Sequence, residues 1–137
     1  MMTRAILIDP FTETVMDVTM VDTKLQTIKN LIDCEIITVA GIGTSNQYRG
    51  IDLILDDEGL LKDKDSQAYF KYGIQSQPYA GKALMIATDD EGETVSLPES
   101  ITVEKVSEKV IFFKPSQKYL EESKEIELIS FLSKLSV

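Results

Sequence analysis

Two copies of the tetrad Asp-Asp-Glu-Gly, at 56–59 and 89–92, each close an apolar run, "IDLIL" and "KALMIAT". Runs with four or five apolar residues stopped by acid and glycine are too short for a helix and suit a buried strand that ends in a turn. Asp favours the opening positions of a type I turn, and Gly accepts the left-handed backbone that closes it. The flanks of the second tetrad, "KALMIAT" (82–88) and "ETVSL" (93–97), predict a hairpin with a four-residue loop. On this reading the carboxylates of both tetrads are turn tips that stay in water. An EF-hand does not fit, because counting from Asp57 puts Lys62 and Ala68 at the sixth and twelfth positions, and counting from Asp89 puts Thr94 and Ser100 there. Paired-carboxylate catalysis does not fit either, because adjacent acids on a wet turn have nothing to raise a pKa.

The rest of the chain punctuates in the same way. "RAILID" (4–9) and the alternating "ETVMDVTM" (13–20) read as a hairpin joined by "PFT". A helix is expected over 22–33, with Asp22 or Thr23 as its cap and Leu25, Ile28 and Ile32 on one face. "EIITVAGI" (35–42), "IDLILD" (51–56), "ITVEKV" (101–106) and "KVIFF" (109–113) read as strands. Residues 60–81 read as a short helix or irregular excursion over the sheet. After Pro115 a helix is expected over 117–135, with Ser116 as cap and Leu128, Phe131, Leu132 and Leu135 in a stripe that Ile126 and Ile129 widen. That stripe would serve as core or as a homodimer face. The expected fold is α+β: a largely antiparallel sheet of five to seven strands against helices 22–33 and 117–135. The 137 residues form one domain, with a core over 4–113 and a C-terminal helix over 116–136.

Charge narrows the choice of partner. Residues 51–100 carry 4 basic and 11 acidic side chains, against 4 and 6 in residues 1–50 and 6 and 6 in residues 101–137. An acidic middle repels phosphate backbones and anionic membrane surfaces, and attracts a basic protein. With one cysteine, Cys34, no intrachain disulfide forms. No apolar run approaches a membrane span, and the N-terminus has no signal-peptide pattern. These features place the chain in the cytoplasm.

Few residues are equipped for common chemistry. There is no histidine, and a single cysteine cannot build a Cys-His nucleophile or a cysteine metal cluster. "GIGTSN" (41–46) lacks the third glycine of a dinucleotide fingerprint, and "AGKA" (80–83) lacks most of a P-loop. "ESK" (122–124) copies part of a nuclease pattern, but on an expected helix. The chain therefore reads as a non-enzyme with no cofactor and no metal. Three groups remain as candidate binding residues. The acidic loops hold Asp56, Asp57, Glu58, Asp89, Asp90, Glu91 and Glu93. The loop "TSNQYRG" holds Asn46, Gln47, Tyr48 and Arg49, which would suit a small polar or anionic ligand. Tyr69, Phe70, Tyr72 and Tyr79 would either pack over the sheet or form an aromatic binding surface.

The segments "RAILIDPFTETV" (4–15), "ILDDEGLL" (54–61) and "PYAGKALMIATDDEGETVSL" (78–97) resemble, in kind and order, a small uncharacterised domain common in phages, prophages and plasmids. The resemblance covers 4–97 and leaves the tail from 98 as a private extension. It carries no catalytic residues. It implies a mobile-element accessory protein in a bacterial host's cytoplasm that binds and blocks a host protein. A nucleic-acid-binding defence factor, of a CRISPR or restriction system, is the target this points to. The alternative is a sponge for a nucleotide-like signal; a metal-dependent enzyme stands third.

Overall fold

The computed structural model describes residues 2–42, 50–62, 66–73 and 77–114. The expected helix over 117–135 and the candidate ligand residues Asn46, Gln47, Tyr48 and Arg49 lie outside the described residues. Within them nine strands and two helices run in the order β1 (Thr3–Asp9), β2 (Thr14–Met20), α1 (Leu25–Ile32), β3 (Ile37–Gly41), β4 (Ile51–Asp56), β5 (Tyr69–Tyr72), β6 (Tyr79–Ala80), β7 (Ala83–Thr88), β8 (Thr94–Val95), α2 (Val103–Lys109) and β9 (Val110–Phe113). A 3-10 turn, Gly59–Leu61, follows β4. All pairings are antiparallel. The fold is α+β, as the alternation and turn chemistry predict.

The main sheet has the order β2-β1-β7-β4-β3, with β8 paired to β7. The central strands β1, β4 and β7 are buried on both faces, which explains why they read as continuous apolar runs. β2 lies at an edge: Val18 and Met20 pack on the α1 face and Val15 on the other, while Met16, Asp17 and Thr19 are exposed. On one face Ala5, Leu7, Met20, Ile54, Leu84 and Ile86 pack under Ile28 and Ile32 of α1. On the other face Ile6, Ile8, Leu53, Leu55 and Met85 pack with Phe70, Leu97, Ile101 and Val106. The second sheet, β6-β5-β9, covers that side.

Four expectations need correction. Residues 101–106 are not a strand: Thr102 caps α2 by accepting the Lys105 N–H at 3.2 Å, and only Val106 of the helix is buried. Propensity for β-branched residues lost to a local cap and one packing contact. Residues 69–72 and 79–80 are strands, not an irregular excursion. Leu25 does not join the buried face of α1, where Ile28 and Ile32 alone are buried. Neither Asp22 nor Thr23 is the N-cap: Lys24 holds that position with no side-chain cap bond and α1 starts at Leu25, while the Asp22 carboxylate accepts the Lys24 N–H at 2.9 Å and the Thr27 hydroxyl at 2.6 Å from the turn before it. The Thr27 hydroxyl, then the Lys24 amide, hold the Asp22 carboxyl below its ordinary pKa.

Candidate functional site: a charged cleft at one end of the sheet

The second tetrad is a hairpin tip. Asp89 accepts the N–H groups of Glu91 and Glu93 on Oδ1, each at 2.9 Å, and Gly92 takes φ +84°. The Asp89 carboxylate is thus committed to shaping the turn. The side chains of Asp90, Glu91 and Glu93 stay exposed, and no ion pair engages them among the described residues.

The first tetrad is different, and here the expectation of wet turn-tip carboxylates fails. Asp56 ends β4 and its side chain is only 5% exposed. Its Oδ1 accepts the Glu58 N–H at 3.0 Å, and its Oδ2 meets the Lys62 ammonium at 2.5 Å. Gly59 is buried, and a Cβ there would lie 2.7 Å from the Ala80 carbonyl oxygen. This glycine allows close approach of two backbones; it does not supply a positive φ. Only Asp57 and Glu58 of this tetrad are exposed.

The two acidic loops do not form one patch. β4 and β7 are antiparallel, with Leu55 opposite Ala83 and Ile51 opposite Ala87. Asp57 and Glu58 therefore leave one end of the sheet and Asp89–Glu93 the other. At ~3.3 Å per residue the strand between them spans roughly 20 Å.

The pleat explains what surrounds Asp56. Ile8 pairs with Ala83, and Ala83 pairs with Leu55, so Asp9, Lys82 and Asp56 form the next row across β1, β7 and β4. All three fall on the α1 face, by the alternation that places Leu7, Leu84 and Ile54 there. The C-terminal end of α1 overhangs this row, where Asp33 adopts φ +53° and pairs with Lys82. Lys62 and Gln67 close the side, and Gln67 donates to the Gly59 carbonyl at 2.7 Å. Two open clefts result, of about 770 and 440 Å³, which share Asp33, Asp56 and Lys62.

The electrostatics suit holding charge. The hydrogen bond to Asp56 raises the Lys62 pKa above its ordinary value, so Lys62 remains an ammonium at neutral pH. Burial, and then the Asp56 charge, push the half-buried Cys34 thiol up, so it stays protonated and is a poor nucleophile. Asp9 is buried and accepts the N–H groups of Phe11 and Thr12 at 2.9 and 3.4 Å, which pins the β1–β2 turn against the cleft.

The aromatic group is mostly internal. Phe70 is fully buried and tilts against Tyr79 with centroids 5.5 Å apart, while Tyr69 is buried and stacks on Phe113 at 5.6 Å. Tyr72 and Tyr79 are half-buried beside the core. Of the two alternatives for this group, packing over the sheet is what the structure shows, with Tyr69 and Phe70 buried. Sequence reasoning missed Asp9, Asp33, Cys34, Lys62, Gln67 and Lys82 as neighbours. Asp9, Asp33, Lys62, Gln67 and Lys82 each stand next to an apolar run, and Cys34 one residue further off, but strand order, which brings them together, is not written in that pattern.

Residues 2–111 match the family described as a domain of unknown function (DUF3846), and the chain belongs to it. The match runs past residue 97 through α2 into β9, so residues 98–111 are part of the family domain and not a private extension. No curated protein and no solved structure matches the chain. Among the described residues no helix is long and apolar enough to cross a membrane.

Proposed function

We propose that this DUF3846 chain is a binding protein, not an enzyme, and that its β7–β8 tip docks against a basic patch on a protein partner. One observation carries the reading: Asp89 holds the turn, so Asp90, Glu91 and Glu93 project from a fixed base with no ion pair to compete for them among the described residues. Charges placed this way speed encounter with an oppositely charged surface and fix orientation. They also repel nucleic-acid backbones, which makes a protein the partner. The setting we propose is a mobile genetic element acting in the bacterial cytoplasm. The partner is a host protein that it blocks, with a defence factor that itself binds nucleic acid as the leading target. Such a factor would carry the basic patch the tip requires. Asp57 and Glu58, at the other end of the sheet, are a separate contact.

The test is a triple reversal, Asp90→Lys, Glu91→Lys and Glu93→Lys, that spares Asp89. Pull-downs from host lysate at several salt concentrations, beside thermal melts, compare it with the unaltered chain. The expected result is a salt-sensitive partner lost from the variant at an unchanged melting temperature. The same partner retained at the same salt sensitivity refutes the reading.

A second reading, capture of a small molecule, is favoured by the charged cleft. Its ligand carries charges of both signs, because a plain anion such as a nucleotide would meet Asp33, Glu35, Asp56 and Glu58 on the walls. A thermal-shift panel that sets zwitterions beside nucleotides separates the two ligand classes.

A further inference from the structure

β3 is an edge of the main sheet, and its hydrogen bonding can be read from both sides of β4. Asp57 donates its N–H to the Ile36 carbonyl at 2.9 Å, and Thr88 donates to the Gly50 carbonyl at 2.8 Å. Bonded pairs alternate along an antiparallel ladder, so β4 turns Gly50, Asp52 and Ile54 toward β7, and Ile51, Leu53, Leu55 and Asp57 toward β3. Both observations give the same parity. Ile36, Thr38, Ala40 and Ile42 therefore use their backbone groups inward. Ile37, Val39 and Gly41 turn theirs outward, where no strand pairs with them among the described residues.

The other edge is guarded. β2 carries Asp17 at its centre, bound by Arg4 at 2.8 Å, and α2 packs against it. Charge and cover of that kind are how sheets prevent unwanted pairing. Among the described residues β3 has neither: no charged residue occurs from Ile36 to Ile42, and Ile36 and Val39 are 51% and 58% exposed. Leu60, beside Thr38 and Val39, is exposed as well.

We propose that this edge is a self-association surface, on which β3 pairs antiparallel with β3 of a second copy about a two-fold axis through Val39. The sequence is self-complementary in that register. Ile36 faces Ile42, Ile37 faces Gly41, Thr38 faces Ala40, and the two Val39 side chains meet. The parity agrees, because the outward groups of Ile37, Val39 and Gly41 then face those of Gly41, Val39 and Ile37. Charge permits a second copy here: the chain carries a net charge of −9, but residues 36–42 carry none, so the paired strands add no like-charge contact inside the ladder. A basic partner would find no carboxylate on it. The isologous contact closes at two copies. One seven-residue edge falls short of the ~1,000 Å² a stable interface buries, so the dimer is weak and concentration-dependent. Glu35 and Asp57 flank the strand, so salt strengthens association by screening them.

Sedimentation equilibrium on the full chain, from about 10 μM to about 1 mM, tests this. The expected result is a mass rising toward twice the monomer, more so at higher salt. Val39→Lys abolishes the rise at an unchanged melting temperature. Val39→Pro does the same without touching the ladder to β4, since it deletes an N–H that points outward; if it fails to fold, Val39→Lys decides. Backbone exchange gives an independent readout, with the Ile37, Val39 and Gly41 amides protected only at dimer concentrations. A chain that stays monomeric throughout overturns the proposal, as do Val39 variants that associate like the unaltered chain. Protection of those amides in the dilute monomer also overturns it, because another segment then covers the edge.

Discussion

Replacing Lys62 with methionine keeps the aliphatic stem and removes the ammonium from Asp56. The cost follows from how unequally the two partners are buried, at 50% and 5% side-chain exposure. Exposed ion pairs contribute ~0.2–1 kcal/mol. Removing one partner of a fully buried pair costs about 3–5 kcal/mol, because a charge is left dry and alone. Asp56 keeps its hydrogen bond from Glu58 N–H, and water reaches half of Lys62, so Lys62→Met should cost ~2 kcal/mol, between those limits. For a domain of this size that lowers the melting temperature by about 5–8 °C. Asp56→Asn should cost less, under ~1 kcal/mol, because the amide oxygen still accepts from Glu58 and the half-exposed lysine rehydrates. The pH dependence follows from the raised Lys62 pKa. A base whose folded pKa exceeds its unfolded one contributes fully below the ordinary lysine value of ~10.4, and that contribution is lost as pH rises through the folded value. The gap between the unaltered chain and Lys62→Met should therefore hold from neutral pH to about pH 10 and narrow above it. Urea titrations followed by circular dichroism measure all three quantities. The reasoning fails if Asp56→Asn costs as much as Lys62→Met, or if the gap widens in alkali.

Two further outcomes follow from the same end of the sheet. Gly59→Ala would place a methyl 2.7 Å from the Ala80 carbonyl oxygen and 3.2 Å from its Cβ. It should cost ~1–3 kcal/mol by chemical denaturation, and a neutral result would mean the 3-10 turn shifts freely. Cys34 should react with a thiol-specific reagent more slowly than free cysteine at neutral pH, with its rate midpoint above the ordinary ~8.5; rapid neutral labelling would show that the thiol is not desolvated.

Much of the fold is legible in local pattern. β1, β2, β4 and β7 fall where apolar runs and alternation place them, because strand register and burial leave a period in the sequence. α2 was not legible: "ITVEKV" is β-branched, and the Thr102 cap that makes it helical competes with a propensity of similar size. The site was legible only in part. Asp89 and Gly92 announce a turn by identity alone. The same four letters at 56–59 give a buried carboxylate paired with a half-exposed lysine, because Lys62 and Ala80 surround them, and neither neighbour is predictable from the tetrad. Whether Asp56, Lys82 and Asp9 meet depends on the order of strands, which follows from the global topology.

β4 acts as a spacer between the two poles of the sheet, with the Asp56–Lys62 lock at one and the Asp89-anchored loop near the other. A small ligand held in the cleft at one pole would leave the other, roughly 20 Å away, open. If the cleft and the hairpin tip both bind as proposed, a small ligand at the first should leave docking at the second unchanged.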